Sequence, residues 1–166
     1  MDIIISGRIG AGKTTVCTKI LKLARRNGLK CGGILTIKTA AGLEVLDIKR
    51  GERRRLASLK EVGDGPRIGK YSFYQEGIKF GIKAIEEGIS CDLLFVDEMG
   101  YLELCGEGFA PALALLKGSK ASSILVIREE LLPDFESELG TLPVFKVEKG
   151  NRDSLPEEIY RFITTH

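Results

Sequence analysis

Histidine is nearly absent from this chain: the single one is His166, the last residue. A Ser-His-Asp or Cys-His mechanism is thereby excluded, as is most metal-hydrolase chemistry. Cysteine is sparse too. Cys17, Cys31, Cys91 and Cys105 are widely spaced and form no CxxC pair, which leaves zinc unsupported and points to a reduced, cytoplasmic setting. No apolar run approaches the roughly 20 residues of a membrane span. The start, Met1-Asp2 and a short apolar stretch, has no basic region, so a signal peptide is not expected. Net charge is only +2, which gives no reason to expect nucleic acid as a partner. Chemistry must therefore come from carboxylates, Lys, Arg, Ser or Thr, and bound metal.

What remains is a composition of 43% hydrophobic and 29% charged residues, over a length of 166 that suits one domain, residues 1–166, with a sizeable core. Residues 2–6 (DIIIS) read as a buried strand and 13–27 as a helix, with Val16, Ile20, Leu23 and Ala24 at helical spacing. Residues 31–38 and 43–48 form a hairpin across KTAAG, and 53–59 can add a third strand. Residues 61–69 (EVGDGPRIG) are turn-rich and read as a loop. A helix follows from Tyr74 to Glu87. Residues 92–97 (DLLFVD) are an apolar strand ending in acid, 109–117 a helix, 122–128 a buried strand and 143–147 the last strand. The final helix spans Asp153 to Ile163. Apolar strands alternating with amphipathic helices predict an α/β fold: a mainly parallel sheet with helices on both faces and an antiparallel hairpin embellishment near residues 31–59.

Residues 7–14, GRIGAGKT, fit the pattern G-x-x-x-x-G-K-[ST]. Gly7, Gly10 and Gly12 let backbone N–H groups turn inward without a Cβ in the way. Such N–H groups make an anion-binding concavity, and the helix beginning near Lys13 adds its positive dipole end. Lys13 supplies a mobile charge for β- and γ-phosphates, and Thr14 a hydroxyl for Mg²⁺. The cradle is assigned to Gly7, Arg8, Ile9, Gly10, Ala11, Gly12, Lys13, Thr14 and the adjoining Thr15. Nucleoside triphosphates are the partner this loop implies.

A Mg²⁺-nucleotide site also needs a carboxylate at the end of a neighbouring strand. LLFVDEMG supplies two: Asp97 suits the metal, and Glu98 suits a general base that deprotonates a water. Arg128 ends another buried strand, at the edge where open α/β sheets hold their ligands, and is a candidate for charge stabilisation. Arg67 and Lys70 are within reach of a bound nucleotide as a lid. The basic run KRGERRR, Lys49 to Arg55, reads first as a solvated hairpin and second as an anionic-partner surface. Tyr71, Phe73 and Tyr74 are core residues first and base-stacking residues second.

With these pieces in place, the chain resembles the THEP1-type nucleoside-triphosphatases, a P-loop family. The matching stretches are IIISGRIGAGKTT, RIGKYSF, LLFVDEMGYLELCGEGF and GNRDSLPEEI. The resemblance implies a three-layer P-loop NTPase fold related to nucleotide kinases, Mg²⁺ dependence, and tolerance for ATP, GTP, CTP and UTP. It implies roles for Gly12, Lys13, Thr14, Thr15, Asp97 and Glu98. It also places Asn151, Arg152 and Asp153 near the base, although Asn151 or Asp153 would serve equally as a cap for the last helix. The chain departs from the family pattern at LTIKTAAG, where an acidic stretch is usual, at Tyr101, where lysine is common, and at VIREE. Hydrolysis by water is the first reading. Phosphoryl transfer to a small acceptor is the alternative. A slow nucleotide switch with a protein or RNA partner is the third.

Overall fold

The apolar runs bury on both sides because each becomes a central strand between two helical layers. The computed structural model describes residues 1–166. In chain order it contains β1 (Asp2–Gly7), α1 (Lys13–Arg26), β2 (Cys31–Lys38), β3 (Gly42–Asp47), β4 (Arg53–Ser58), β5 (Arg67–Ile68), β6 (Tyr71–Phe73), α2 (Gln75–Gly88), β7 (Leu93–Met99), α3 (Tyr101–Leu104), α4 (Ala110–Leu116), β8 (Ser122–Arg128), a 3-10 turn at Glu129–Leu131, α5 (Leu132–Leu139), β9 (Val144–Lys146) and α6 (Leu155–Thr165). All strands join one nine-stranded sheet in the order β5-β6-β4-β3-β2-β7-β8-β1-β9. From β2 to β9 every pairing is parallel. From β2 outward to β5 every pairing is antiparallel. No helix is long and apolar enough to cross a membrane.

Period-2 alternation divides each central strand between the two cores. Ile3, Ile5, Leu93, Phe95, Ile124 and Val126 pack with α1 and α6. Ile4, Leu94, Val96, Leu125 and Ile127 pack with α2, α4 and α5. The helix α2 lies so close to β2 that a Cβ on Gly32 would stand 2.7 Å from the Gly88 Cα. Gly33, at φ +90°, has its backbone against the Phe95 carbonyl oxygen, so only glycine fits there.

The expected three-layer α/β architecture is present, and the antiparallel part is larger than the predicted hairpin. Residues 61–69 are not all loop: Arg67–Ile68 and Tyr71–Phe73 pair as a small hairpin that extends the sheet beyond β4. Arg67 lies in this edge strand and Lys70 in the turn between the two strands, where it borders the cavity shared with Lys13 and Glu98. The strand of LLFVD runs two residues past Asp97, to Met99. Two helices escaped the periodicity, α3 and α5. The stripe Leu131, Phe135 and Leu139, with Pro133 in the first turn, was the available signal for α5. Helix α6 starts at Leu155, and neither Asn151 nor Asp153 caps it by a side-chain hydrogen bond.

Candidate functional site

The turn from β1 to α1 exists because glycine accepts its dihedrals. Gly10 (φ +76°) and Gly12 (φ +99°) are left-handed, and Gly12 is the residue before the first turn of α1. A Cβ on Gly7 would stand 2.9 Å from the Val147 carbonyl oxygen. Lys13 is buried, and its Nζ donates to the carbonyl oxygens of Gly7 at 3.0 Å and Arg8 at 2.7 Å. Burial lowers its pKa; the Glu98 charge opposes this and the Arg128 charge adds to it. Two loop carbonyls thus hold an ammonium that an incoming phosphate would attract more strongly. Arg8, Ile9 and Thr15 are exposed. The Arg8 Nε donates to Glu129 at 3.2 Å, and Lys146 joins the same carboxylate at 3.1 Å. The Lys146 hydrogen bond first, and the Arg8 bond to a lesser degree, hold Glu129 below the usual carboxylate range.

Across the sheet from Lys13, β7 carries one extra residue against β8. Val96 pairs with Leu125 and Met99 with Ile127, so three steps on one strand meet two on the other. Such a bulge re-aims side chains. Here it spans Asp97 and Glu98, and Glu98 is the one non-glycine residue at positive φ, +64°. Asp97 is fully buried while Glu98 is half-buried. Asp97 Oδ2 accepts from Thr14 Oγ1 at 2.9 Å and from the Thr36 amide at 3.1 Å. Its Oδ1 is buried without a partner, as is the Thr36 hydroxyl. Burial first, and Glu98 second, push the Asp97 carboxyl up to about 7.

An orphaned carboxylate oxygen beside a threonine hydroxyl fits a hard cation. No group of three or more His, Cys, Asp or Glu side chains converges anywhere to hold an ion unaided. A cation here would therefore arrive with phosphate oxygens completing its shell, which is how Mg²⁺ is usually held.

Arg128 lies in register beside Gly7 and, with Lys13 and Glu98, borders a cavity of about 230 Å³. The sequence-derived residues Lys13, Thr14, Asp97, Glu98 and Arg128 are thus brought together. Asn151, Arg152 and Asp153 lie on the opposite flank, beyond β9. Arg152 Cδ would stand 3.6 Å from a Cβ on Gly12, so this arginine leans over the phosphate loop. The Asn151 side chain ties its own turn, accepting from the Glu148 amide at 2.8 Å and donating to the Lys146 carbonyl at 2.8 Å. Asp153 pairs with Lys19 at 3.0 Å. In the basic run, Arg50, Arg54 and Arg55 pair with Glu87, Glu52 and Glu61 respectively, as a solvated hairpin would. Tyr71 and Phe73 pack against the core, and Tyr74 is buried.

Two residues of the site were not singled out by the sequence. Thr36 is one. Glu103 is the other: it is buried, accepts from the Gly100 amide at 2.8 Å and the Phe109 amide at 3.2 Å, and so ties down the segment that leaves Glu98. The capping spacing from Gly100 to Glu103 was the local clue. Glu103→Gln replaces one acceptor by a donor facing a backbone N–H. It is expected to lower stability by about 1–3 kcal/mol, read as a fall in the urea midpoint at unchanged slope.

A family model described as NTPase matches residues 2–160. The nucleoside-triphosphatase THEP1 of Methanosarcina acetivorans is 33% identical over 167 residues, covering 96% of this chain and 94% of its own. That of Methanopyrus kandleri is 29% identical over 172 residues, covering 98% and 94%. Among solved structures, THEP1 from the hyperthermophile Aquifex aeolicus matches with a TM-score of 0.78 at 20% identity, covering 98% of this chain and 99% of that one. A human cancer-related nucleoside triphosphatase matches at 0.78 and 21%, covering 99% and 97%. At these identities the two structures speak for the fold alone.

Proposed function

The chain belongs to the NTPase family, and on that footing we propose that it hydrolyses nucleoside triphosphates, ATP, GTP, CTP and UTP alike, with Mg²⁺ as the metal. The observation that carries this reading is the bulge in β7. It leaves Asp97 buried against Thr14 and turns Glu98, one residue on, toward the cavity that Lys13 and Arg128 also border.

Each side chain then has one task. Backbone amides of residues 7–15 hold the phosphate oxygens, and Lys13 leaves the Gly7 and Arg8 carbonyls for the β- and γ-phosphates. Thr14 and Asp97 hold Mg²⁺, which when bound neutralises phosphate charge. Glu98 accepts a proton from the attacking water, whose oxygen bonds to the γ-phosphorus as the nucleoside diphosphate departs. Arg128 faces the charge on the group in transit. Arg152 and Asn151 flank the loop on the side where the ribose and base extend. The test is phosphate release by purified protein with each NTP and Mg²⁺ and no other substrate. Release from all four supports the reading; tight binding without release refutes it.

Because burial pushes the Asp97 carboxyl up to about 7, proton and cation compete for it at neutral pH. Its ionised form is the one disfavoured by burial, so acidification removes the ligand. The Mg²⁺ concentration giving half-maximal turnover is expected to rise by up to about tenfold per pH unit below 7. A half-saturation point that stays flat between pH 5 and pH 7 would contradict the assignment of Asp97 to the metal.

A further inference from the structure

Hydrolysis consumes one water, whose share of volume is about 30 Å³. The cavity beside Glu98 is about 230 Å³. Part of its lining is charged: Lys13, Glu98 and Arg128. Much of the rest is not. Leu43 and Leu56 from the antiparallel part of the sheet, Phe73, Ile78 from α2 and Phe109 line it with apolar surface. Nothing in the transfer of a phosphoryl group to water uses this wall. The rim adds two exposed cations, Lys38 and Lys70. Neither forms an ion pair; of the basic run, Arg50, Arg54 and Arg55 are paired with acids while Lys49 and Arg53 are not. The Lys70 ammonium instead stands 5.6 Å from the Tyr71 ring centre, at the cavity edge.

A carboxylate, an apolar lining and two unpaired exposed cations around one cavity describe one class of small molecule. We propose that the cavity is a second-substrate site for an alcohol with an aromatic or otherwise apolar body and a carboxylate group. Its hydroxyl meets Glu98, its body fills the space between Leu43, Phe73, Ile78 and Phe109, and its carboxylate faces Lys38 and Lys70. In the reaction the alcohol oxygen replaces water. Glu98 takes the hydroxyl proton, a bond forms from that oxygen to the γ-phosphorus, and the bond from the γ-phosphorus to the bridging oxygen breaks. The nucleoside diphosphate leaves with the electron pair, the product is a phosphate monoester, and Glu98 returns its proton to solvent. This assignment rests on the placement of the γ-phosphate proposed above.

The probes are the meta and para isomers of (hydroxymethyl)benzoate, with benzyl alcohol as the neutral comparator. Calorimetric titration of the wild-type protein is expected to show saturable binding of at least one acid. In the doubly substituted Lys38→Glu, Lys70→Glu protein, that binding should weaken by roughly tenfold or more, the size of two part-exposed ion pairs, with benzyl alcohol changed less than about twofold. With γ-labelled ATP, label should divide between inorganic phosphate and the phosphate ester, and Ile78→Phe, which fills the cavity, should lower the ester share. Hydrolysis of ATP with no saturable probe binding, or with binding indifferent to the two charge reversals, overturns the cavity assignment and leaves the hydrolase reading standing. Probe binding without label on the ester overturns the transfer step. Label found on an ester, with no phosphate released in the absence of alcohol, upholds the cavity assignment and refutes the hydrolase reading.

Discussion

Glu98→Gln is expected to lower phosphate release by about 10²–10⁴-fold while nucleotide still binds. The substitution keeps the volume and the backbone demand of a position at φ +64°, so the bulge should survive it. It removes the proton acceptor. The neighbours are affected in opposite ways. Glu98 is the largest charge offsetting the effect of burial on Lys13, so the Lys13 pKa should drop further without it. Glu98 also raises the Asp97 pKa, second only to burial, so Asp97 should become easier to ionise and a better cation ligand. The two shifts oppose each other for binding, which is why affinity should hold while the chemical step fails. The measurement is phosphate release alongside equilibrium binding of a labelled NTP. Turnover at the wild-type rate would remove Glu98 from the mechanism.

Lys13→Ala should damage both binding and rate, with turnover down by about 10²–10³-fold, the usual consequence of deleting one preorganised donor to developing charge. In the free protein the Lys13 ammonium is buried and satisfied by two loop carbonyls, at 3.0 Å and 2.7 Å. Those bonds are available to be exchanged for phosphate oxygens, since a carbonyl dipole competes poorly with a phosphate charge. Alanine leaves the Gly7 and Arg8 carbonyls without this donor, which should cost the fold about 1–3 kcal/mol. Lys13→Arg should not restore activity. A planar fork cannot occupy the space of a compact ammonium lodged between Gly7 and Arg8. Initial rates with a fluorescent-nucleotide titration check both effects; wild-type affinity in Lys13→Ala would refute the proposed position of the γ-phosphate.

The strands β1, β2, β7 and β8 and the helix α1 were readable from spacing because their pattern is local: apolar runs buried on both faces, and a stripe at helical period. The helix α5 was not, since its acids and Pro133 masked a short stripe that only packing completes. Beyond β4, the pairing of Arg67–Ile68 with Tyr71–Phe73 was hidden because two- and three-residue strands carry no period of their own. Asn151 and Asp153 looked like helix caps. The structure gives Asn151 to its own turn and Asp153 to Lys19, a partner 134 positions away in the chain.

By itself the sequence determined the phosphate loop and the presence of two acids at the close of an apolar strand, because glycine freedom and strand period act over a few neighbouring residues. It did not determine which way those acids face. That was decided by a one-residue mismatch between β7 and β8, a relation between segments some thirty positions apart. The same holds for the cavity, whose walls come from β3, β4, β6, α2 and the segment before α4, and whose volume exists only once the sheet has assembled. Side-chain direction across a bulge and empty space between elements are properties of contact, and contact is written in no local pattern.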